Sequence, residues 1–253
     1  MTIKDRHFVK YLFLITLSLI IVAISHTPTS AGIVDKVKDL LRPGKKPTRT
    51  VAEVIKKIKP RALPFWEKEF TQKDLEFPPK KLAFVVIKDE DILEVWGMDK
   101  NGKRTLVNEY NVLAASGGAG PKLKQGDHQV PEGLYSIIWL HPNSSYHLSM
   151  KINYPSKFDR EMAKKDKRTN LGGDIFIHGS FLSVGCLAMG DSAIEELFYL
   201  VNKVGQQNVS VIIAPYDFRI YDRPFKVSKK VPAWVEPLYE KVKREMAKYR
   251  KSK

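Results

Sequence analysis

Between Leu82 and Ala214 the chain is written in short β-branched and aromatic runs separated by turn sequences, and this pattern limits the folds open to it more than any other. Leu82-Ala83-Phe84-Val85-Val86-Ile87 and Ile92-Leu93-Glu94-Val95-Trp96 flank an acidic turn at Lys88 to Asp91 and predict a hairpin. Asp99 to Lys103 is a second turn, and Thr105 to Ala115 reads as the next strand. The glycine-rich stretch Ser116 to Pro121 matches neither the dinucleotide fingerprint nor the P-loop and has no helix directly after it, so it predicts a strand reversal. Gly126 to Gly133 then leads into a strand at Leu134 to Leu140. From Tyr146 to Pro155 the residues alternate, with Tyr146, Leu148, Met150 and Ile152 on one face and His147, Ser149 and Lys151 on the other, which either lines a cleft or meets solvent. Lys157 to Asn170 is a charged, partly helical insertion, a substrate lid or a surface excursion, and Asp174 to Ile177 and Val209 to Ala214 complete the strands. Between those two, Asp191 or Ser192 caps a helix through Ile194, Leu197, Phe198 and Val201, with Glu195 closing a capping box from Ser192. The expected class is mostly β with flanking helices, α+β.

The flanks are of different character. Lys4, Arg6 and Lys10 precede an apolar run from Tyr11 to Ser25, and small residues at Thr29, Ser30 and Ala31 offer a cleavage site before Gly32. Residues 1–31 therefore predict a secretory signal peptide, with an uncleaved inner-membrane anchor as the alternative, and either places the rest outside the cytoplasm. No cysteine lies near that site to be acylated, so a lipid anchor is excluded. Residues 32–81 read as a helical extension and linker, broken at Leu41 to Pro47. Thr50 and Glu53 form a capping-box pattern before Val51, Val54, Ile55 and Ile58, and Pro60, Pro64, Pro78 and Pro79 then predict a short helix with flanking loops. At the other end, residues 226–253 hold ten Lys or Arg against Glu236, Glu240 and Glu245, a large share of the net charge of +15. There Val235, Leu238, Val242, Met246 and Tyr249 form one stripe of a basic amphipathic helix. Such a face suits anionic envelope polymers or membrane headgroups, or serves solubility, and nucleic acid is excluded by compartment.

The chain has one cysteine, Cys186, eight positions after His178, in Phe176-Ile177-His178-Gly179-Ser180-Phe181-Leu182-Ser183-Val184-Gly185-Cys186-Leu187-Ala188-Met189. It has no partner for an internal disulfide, which leaves packing, intermolecular pairing or chemistry. Chemistry needs a thiolate and a base that later returns the proton to a leaving amine. His178 at a strand end, with a short return through Ser180 and Ser183, supplies that base. Gly179 and Gly185 permit tight turns, and the N–H groups of Gly185 and Cys186 are candidates for an oxyanion site. His128, His147 and Tyr154 are candidates for substrate contact, whereas His141, beside Trp139 and Pro142, reads as a strand end. No His, Cys or Asp cluster has metal-ligand spacing, so no metal is expected. A papain-like order is excluded, since it places the cysteine far before its histidine.

At these residues the chain resembles the YkuD family of L,D-transpeptidases, whose signature is a His-Gly pair followed by Ser-His-Gly-Cys and then an arginine two positions after the cysteine. The short form here, His178-Gly179 to Ser183-Val184-Gly185-Cys186, is most similar to the YafK/DpaA branch. The resemblance runs from about Leu82 to Ala214 and includes the segments Val130 to Gly133, Asn153 to Pro155 and Leu171 to Gly173. It implies the YkuD-type fold, mixed β-sheets packed as a sandwich, in a catalytic domain at residues 82–222 followed by the basic tail at 223–253. It also implies Cys186 as nucleophile, His178 as acid and base, Ser183 and Gly185 as shapers of the turn, and no metal or organic cofactor. The implied partner is peptidoglycan, through its meso-diaminopimelate, together with the lipoprotein attached to it. Two positions depart from the signature: Val184 stands at the usual histidine and Ala188 at the usual arginine. In the branch these changes accompany hydrolysis of the link between murein and lipoprotein. A transpeptidase making 3-3 crosslinks or attaching lipoprotein, and a non-catalytic murein-binding protein, are the alternatives.

Overall fold

Leu82 to Ile87 carries no polar position because both of its faces are covered. In the computed structural model, which describes residues 48–220 and 231–250, this run is strand β1 (Lys81–Ile87), buried at every position after Lys81. It forms the expected hairpin with β2 (Ile92–Met98) through a one-turn 3-10 helix, closed by Asp91 at φ 51°. The chain continues through β3 (Arg104–Asn111), β4 (Gly133–His141), β5 (Ser149–Ile152), β6 (Phe176–His178), β7 (Leu187–Ala188) and β8 (Val209–Ala214). The helices are α1 (Val51–Gln72), α2 (Lys157–Lys165), α3 (Asp191–Val204) and α4 (Val235–Met246).

Eight strands form one ladder in the order β3-β2-β1-β8-β4-β5-β6-β7, and a register shift between Ile137 and Trp139 marks the passage of β4 from one half to the other. The sheet is mixed: β1 with β8 and β6 with β7 are parallel, and the remaining neighbours are antiparallel. The mixed-sheet, α+β class read from the sequence is the class of the molecule.

Alternation along β1 divides the core in two. Leu82, Phe84 and Val86 join the larger cluster, with Val211, Ile213, Met150, Ile177, Ile194 and Phe198. Ala83, Val85 and Ile87 face the other way, against Val235, Leu238, Val242, Met246 and Tyr249. The apolar stripe of the basic tail is thus spent on the second face of the sheet, while Lys241, Arg244 and Lys248 are exposed.

The short helix expected after Pro60 is instead part of α1, a 22-residue helix that runs through both Pro60 and Pro64. Its start is as expected, with the Thr50–Glu53 capping box formed in both directions. The prolines sit four apart on the exposed side, where carbonyls freed from the helix ladder can bond water. Opposite them Val54, Ile58, Ala62, Trp66 and Phe70 are buried. Burying Trp66 contributes about 5 kcal/mol and each of Val54, Ile58 and Phe70 about 1.5–3 kcal/mol, against about 6 kcal/mol lost at the two interior prolines, so the buried stripe decides the outcome. The Trp66 indole N–H also donates to Glu196 O on α3, at 2.8 Å.

Glu132, in the turn before β4, is buried and gathers three remote segments. Its carboxylate accepts from Lys88 Nζ at 2.8 Å, from the Gly120 amide at 2.9 Å and from the Tyr239 hydroxyl. The glycine-rich loop is thereby pinned to the β1–β2 turn and to α4. The expected leader and the Leu41 to Pro47 break lie outside the described residues. Among the described residues no helix is long and apolar enough to cross a membrane.

Candidate active site

Cross-strand register builds the site. Trp139 pairs with Lys151 and Lys151 with Phe176, while His141 pairs with Ser149, Ser149 with His178 and His178 with Ala188. Because side chains alternate along each strand, these two rows share one face. The intervening row, Leu140, Met150, Ile177 and Leu187, points into the core. Cys186 comes directly before β7, at the level of Phe176, since Ile177 pairs with Leu187 in parallel. Cys186 and His178 are therefore diagonal neighbours on one face, joined by the loop from Gly179 to Gly185.

His178 is buried at 2% exposure. Its Nδ1 lies 2.6 Å from Gly179 O. A carbonyl can only accept, so Nδ1 carries the proton and Nε2 is left with its lone pair. The group orienting the imidazole is thus the backbone carbonyl of its own Gly neighbour. Burial pushes the imidazole pKa down, partly opposed by the hydrogen bond to Gly179, so the ring is neutral at neutral pH. The ring of Tyr146 covers it, with centroids 4.7 Å apart. Tyr146 was expected on the face with Leu148, but β5 begins only at Ser149 and leaves Tyr146 in the preceding loop.

Gly179 tolerates no side chain, since a Cβ there would lie 2.7 Å from both Tyr146 O and Asp191 Oδ1. Asp191 Oδ1 accepts from the Ser180 amide at 2.8 Å, and Gly190 is the N-cap of α3. The capping box expected from Ser192 and Glu195 therefore does not form. Glu195 instead bonds His147 Nε2 at 2.7 Å and pairs with Arg61.

The thiol is held by backbone. The Phe176 amide donates to Sγ at 3.4 Å, and the S–H donates to Asp174 O at 3.7 Å. Burial pushes the Cys186 pKa up; the Phe176 amide and the Lys122 ammonium oppose the shift and Asp174 adds to it. The resting pair is a neutral thiol beside a neutral imidazole.

The turn around the cysteine corrects one expectation. Ser183 Oγ accepts from Cys186 N at 3.0 Å and donates to Cys186 O at 2.7 Å. Gly185 N donates to Ser116 Oγ at 2.6 Å, and Ser116 in turn donates to His128 O at 2.7 Å. Both amides read as oxyanion donors are already engaged by serine hydroxyls in this state. Ser183 and Gly185, the latter at φ 87°, shape the turn.

The three candidates for substrate contact separate. His128 is exposed and reaches the turn only through its carbonyl, by way of Ser116. His147 has its Nε2 committed to Glu195. Tyr154 is buried at 3% exposure, with its hydroxyl directed at Leu171 O, and packs on Tyr135, so it is a core residue. The residues that sequence reasoning missed are Ser116, Tyr146 and Asp174; of these only Ser116 carried a signal, its place at the head of the glycine-rich loop, whereas Lys151 lies on the strand face whose alternation offered a cleft lining. Among the described residues, no three His, Cys, Asp or Glu side chains gather where a metal ion could sit.

The YkuD model, described as an L,D-transpeptidase catalytic domain, matches residues 80–213, more than half of the chain. YafK of Escherichia coli (strain K12) and of Escherichia coli O157:H7, named for an inferred L,D-transpeptidase activity, are each 33% identical over 167 residues, 64% of this chain. The match spans 63% of the length of those relatives. Among solved structures, the helical cell shape determining protein Pgp2 from Campylobacter jejuni aligns with a TM-score of 0.45 at 20% identity, covering 75% of this chain and 78% of its own. Bd1075 of Bdellovibrio bacteriovorus aligns at 0.40 and 21% identity, covering 67% of this chain and 55% of its own. A matching family model across the strands that carry Cys186 and His178 places the chain in the YkuD family of L,D-transpeptidase catalytic domains.

Proposed function

We propose that this protein is a periplasmic cysteine amidase of peptidoglycan that cleaves the amide joining meso-diaminopimelate to the lysine of an attached lipoprotein. The observation that carries the reading is the pairing on one sheet face of Cys186 with a histidine whose Nδ1 is tied to Gly179 O. That tautomer leaves Nε2 with its lone pair, as a general base must have. Substrate entry turns the S–H from Asp174 O toward Nε2. The proton then passes to His178 as sulfur attacks the amide carbonyl, and the C–N bond breaks as His178 returns the proton to the departing lysine amine. The thioester is next attacked by water, which gives its proton to the same Nε2, and the peptide leaves with a free carboxylate while the thiol is restored.

The basic start and the apolar run from Tyr11 to Ser25, read as a leader, support the compartment. Hydrolysis in place of transfer is supported by the two departures from the family signature. Val184 is 69% exposed, and Ala188 is fully buried in the row beside His178, so neither position offers a polar or charged contact to an acceptor.

The test incubates purified protein with lipoprotein-bearing sacculi and, separately, with tetrapeptide muropeptides. Release of lipoprotein, lost in Cys186→Ala, is expected. New muropeptide dimers without release would show a transpeptidase instead, and sacculus binding with no thiol-dependent product would show a binding protein.

A further inference from the structure

The residues beside the nucleophile carry more than a base. Along the row that ends at Cys186, Trp139 is 46% exposed and stacks on His141, with centroids 4.3 Å apart. Trp139 also meets the edge of Phe176, at 6.5 Å. Lys151, between them in register, lies with its ammonium 5.9 Å from the Phe176 ring centre and 2.5 Å from Asp174 Oδ1. The Asp174 side chain is 79% exposed and that of Lys151 27%. The segment from Asp174 to Phe176 is the one whose backbone holds the thiol, with Asp174 O and Phe176 N both on Sγ. An ammonium, a carboxylate and two aromatic rings thus lie along the row that leads to the reacting sulfur. Ala188 puts no cation on the other side of it.

An ion pair this open to water contributes little to folding and is easily parted by a ligand that supplies both opposite charges. A ligand with an ammonium and a carboxylate on the same carbon does so. Cys186 and Lys151 stand two strand spacings apart, about 10 Å. A carbonyl at Sγ and an amino-acid centre five bonds away are separated by about 6 Å when extended, and the lysine side chain spans the remainder.

We infer that Lys151 and Asp174 form a specificity site for a zwitterionic side-chain terminus on the acyl residue, Lys151 taking its carboxylate and Asp174 its ammonium, with Trp139 and Phe176 packing the methylenes between. This deepens the proposed function, on which it rests, by naming what the site reads in diaminopimelate: the far amino-acid centre and not only the scissile amide.

The experiment uses full-length protein in two arms. In the kinetic arm, donor peptides linked to a lysine amine carry at the acyl position either meso-diaminopimelate or lysine, which lacks the terminal carboxylate. The wild-type preference in kcat/KM for diaminopimelate is expected to fall at least tenfold in Lys151→Met. In the binding arm, Cys186→Ala protein is titrated with the corresponding free tripeptides. The diaminopimelate peptide is expected to bind at least tenfold more tightly than the lysine peptide; Lys151→Met in that background is expected to remove the difference, and Asp174→Asn to weaken both peptides, since both carry the terminal ammonium. Equal weakening of both peptides by Lys151→Met, unchanged binding in Asp174→Asn, or no discrimination by the parent overturns the inference. The binding arm decides it even if no donor is cleaved, an outcome that would sink the proposed hydrolase alone.

Discussion

At the scale of single residues, the candidate site is a neutral thiol beside a neutral imidazole, both kept neutral by burial. Because burial lowers the His178 pKa, the imidazole stays unprotonated to a pH below the ordinary 6.5, and, if it acts as the proposed base, the acid limb of kcat/KM against pH is expected below that value. A limb above 6.5 would show that the imidazole is stabilised as a cation instead. The thiol is shifted the other way, above its ordinary 9.0, so alkylation of Cys186 without substrate is expected to rise only in the alkaline range. Ser116 touches the turn and not the reacting atoms. Removing its hydroxyl leaves the Gly185 amide without its acceptor, a loss of about 1–1.5 kcal/mol, so Ser116→Ala is expected to lower kcat about tenfold with little change in KM. A larger effect on KM than on kcat would place Ser116 in substrate binding. The His178-Gly179 to Cys186 sequence was legible because strand, turn and return strand are continuous in the chain. Ser116 was not, since it reaches Gly185 across 69 residues of sequence.

At the scale of elements, strands were easier to read than helices with mixed signals. Periodicity and turn residues located the β1–β2 hairpin and β8, where local preference and burial agree. In α1 they conflict: Pro60 and Pro64 argue for a break, and the buried stripe from Val54 to Phe70 argues against it. The conflict can be measured. Trp66→Ala is expected to cost about 3–5 kcal/mol in chemical denaturation, and Pro64→Ala, on the exposed side, to gain about 1–3 kcal/mol. If Pro64→Ala destabilises, the proline serves a purpose that helix propensity does not describe. The start of α3 follows the same logic. Ser192 and Glu195 form a capping pattern, yet Glu195 goes to His147 and Arg61 and Gly190 takes the cap, because tertiary partners outbid a local hydrogen bond.

At the scale of the whole molecule, the basic tail is part of the core. Ending the chain before Trp234 would expose Val85, Ile212 and their neighbours on the second face of the sheet, so truncation is expected to unfold the protein. A tail role in binding is better tested at the surface. Charge reversal at Lys241, Arg244 and Lys248 should keep the melting temperature while weakening sacculus binding and its dependence on salt. If binding is unchanged, the net charge of +15 acts elsewhere. The sequence by itself determined the strand content, the mixed α+β class, the family, and the histidine and cysteine to examine, because alternation, turn chemistry and a continuous motif are local properties of the chain. Only the tertiary structure decided that the oxyanion candidates are capped by serines, that the apolar stripe of α4 faces the sheet, and that Trp139, Lys151 and Phe176 stand in one row leading to Cys186. Those depend on strand register and long-range contacts, which a one-residue slip would reverse and which no sequence window contains.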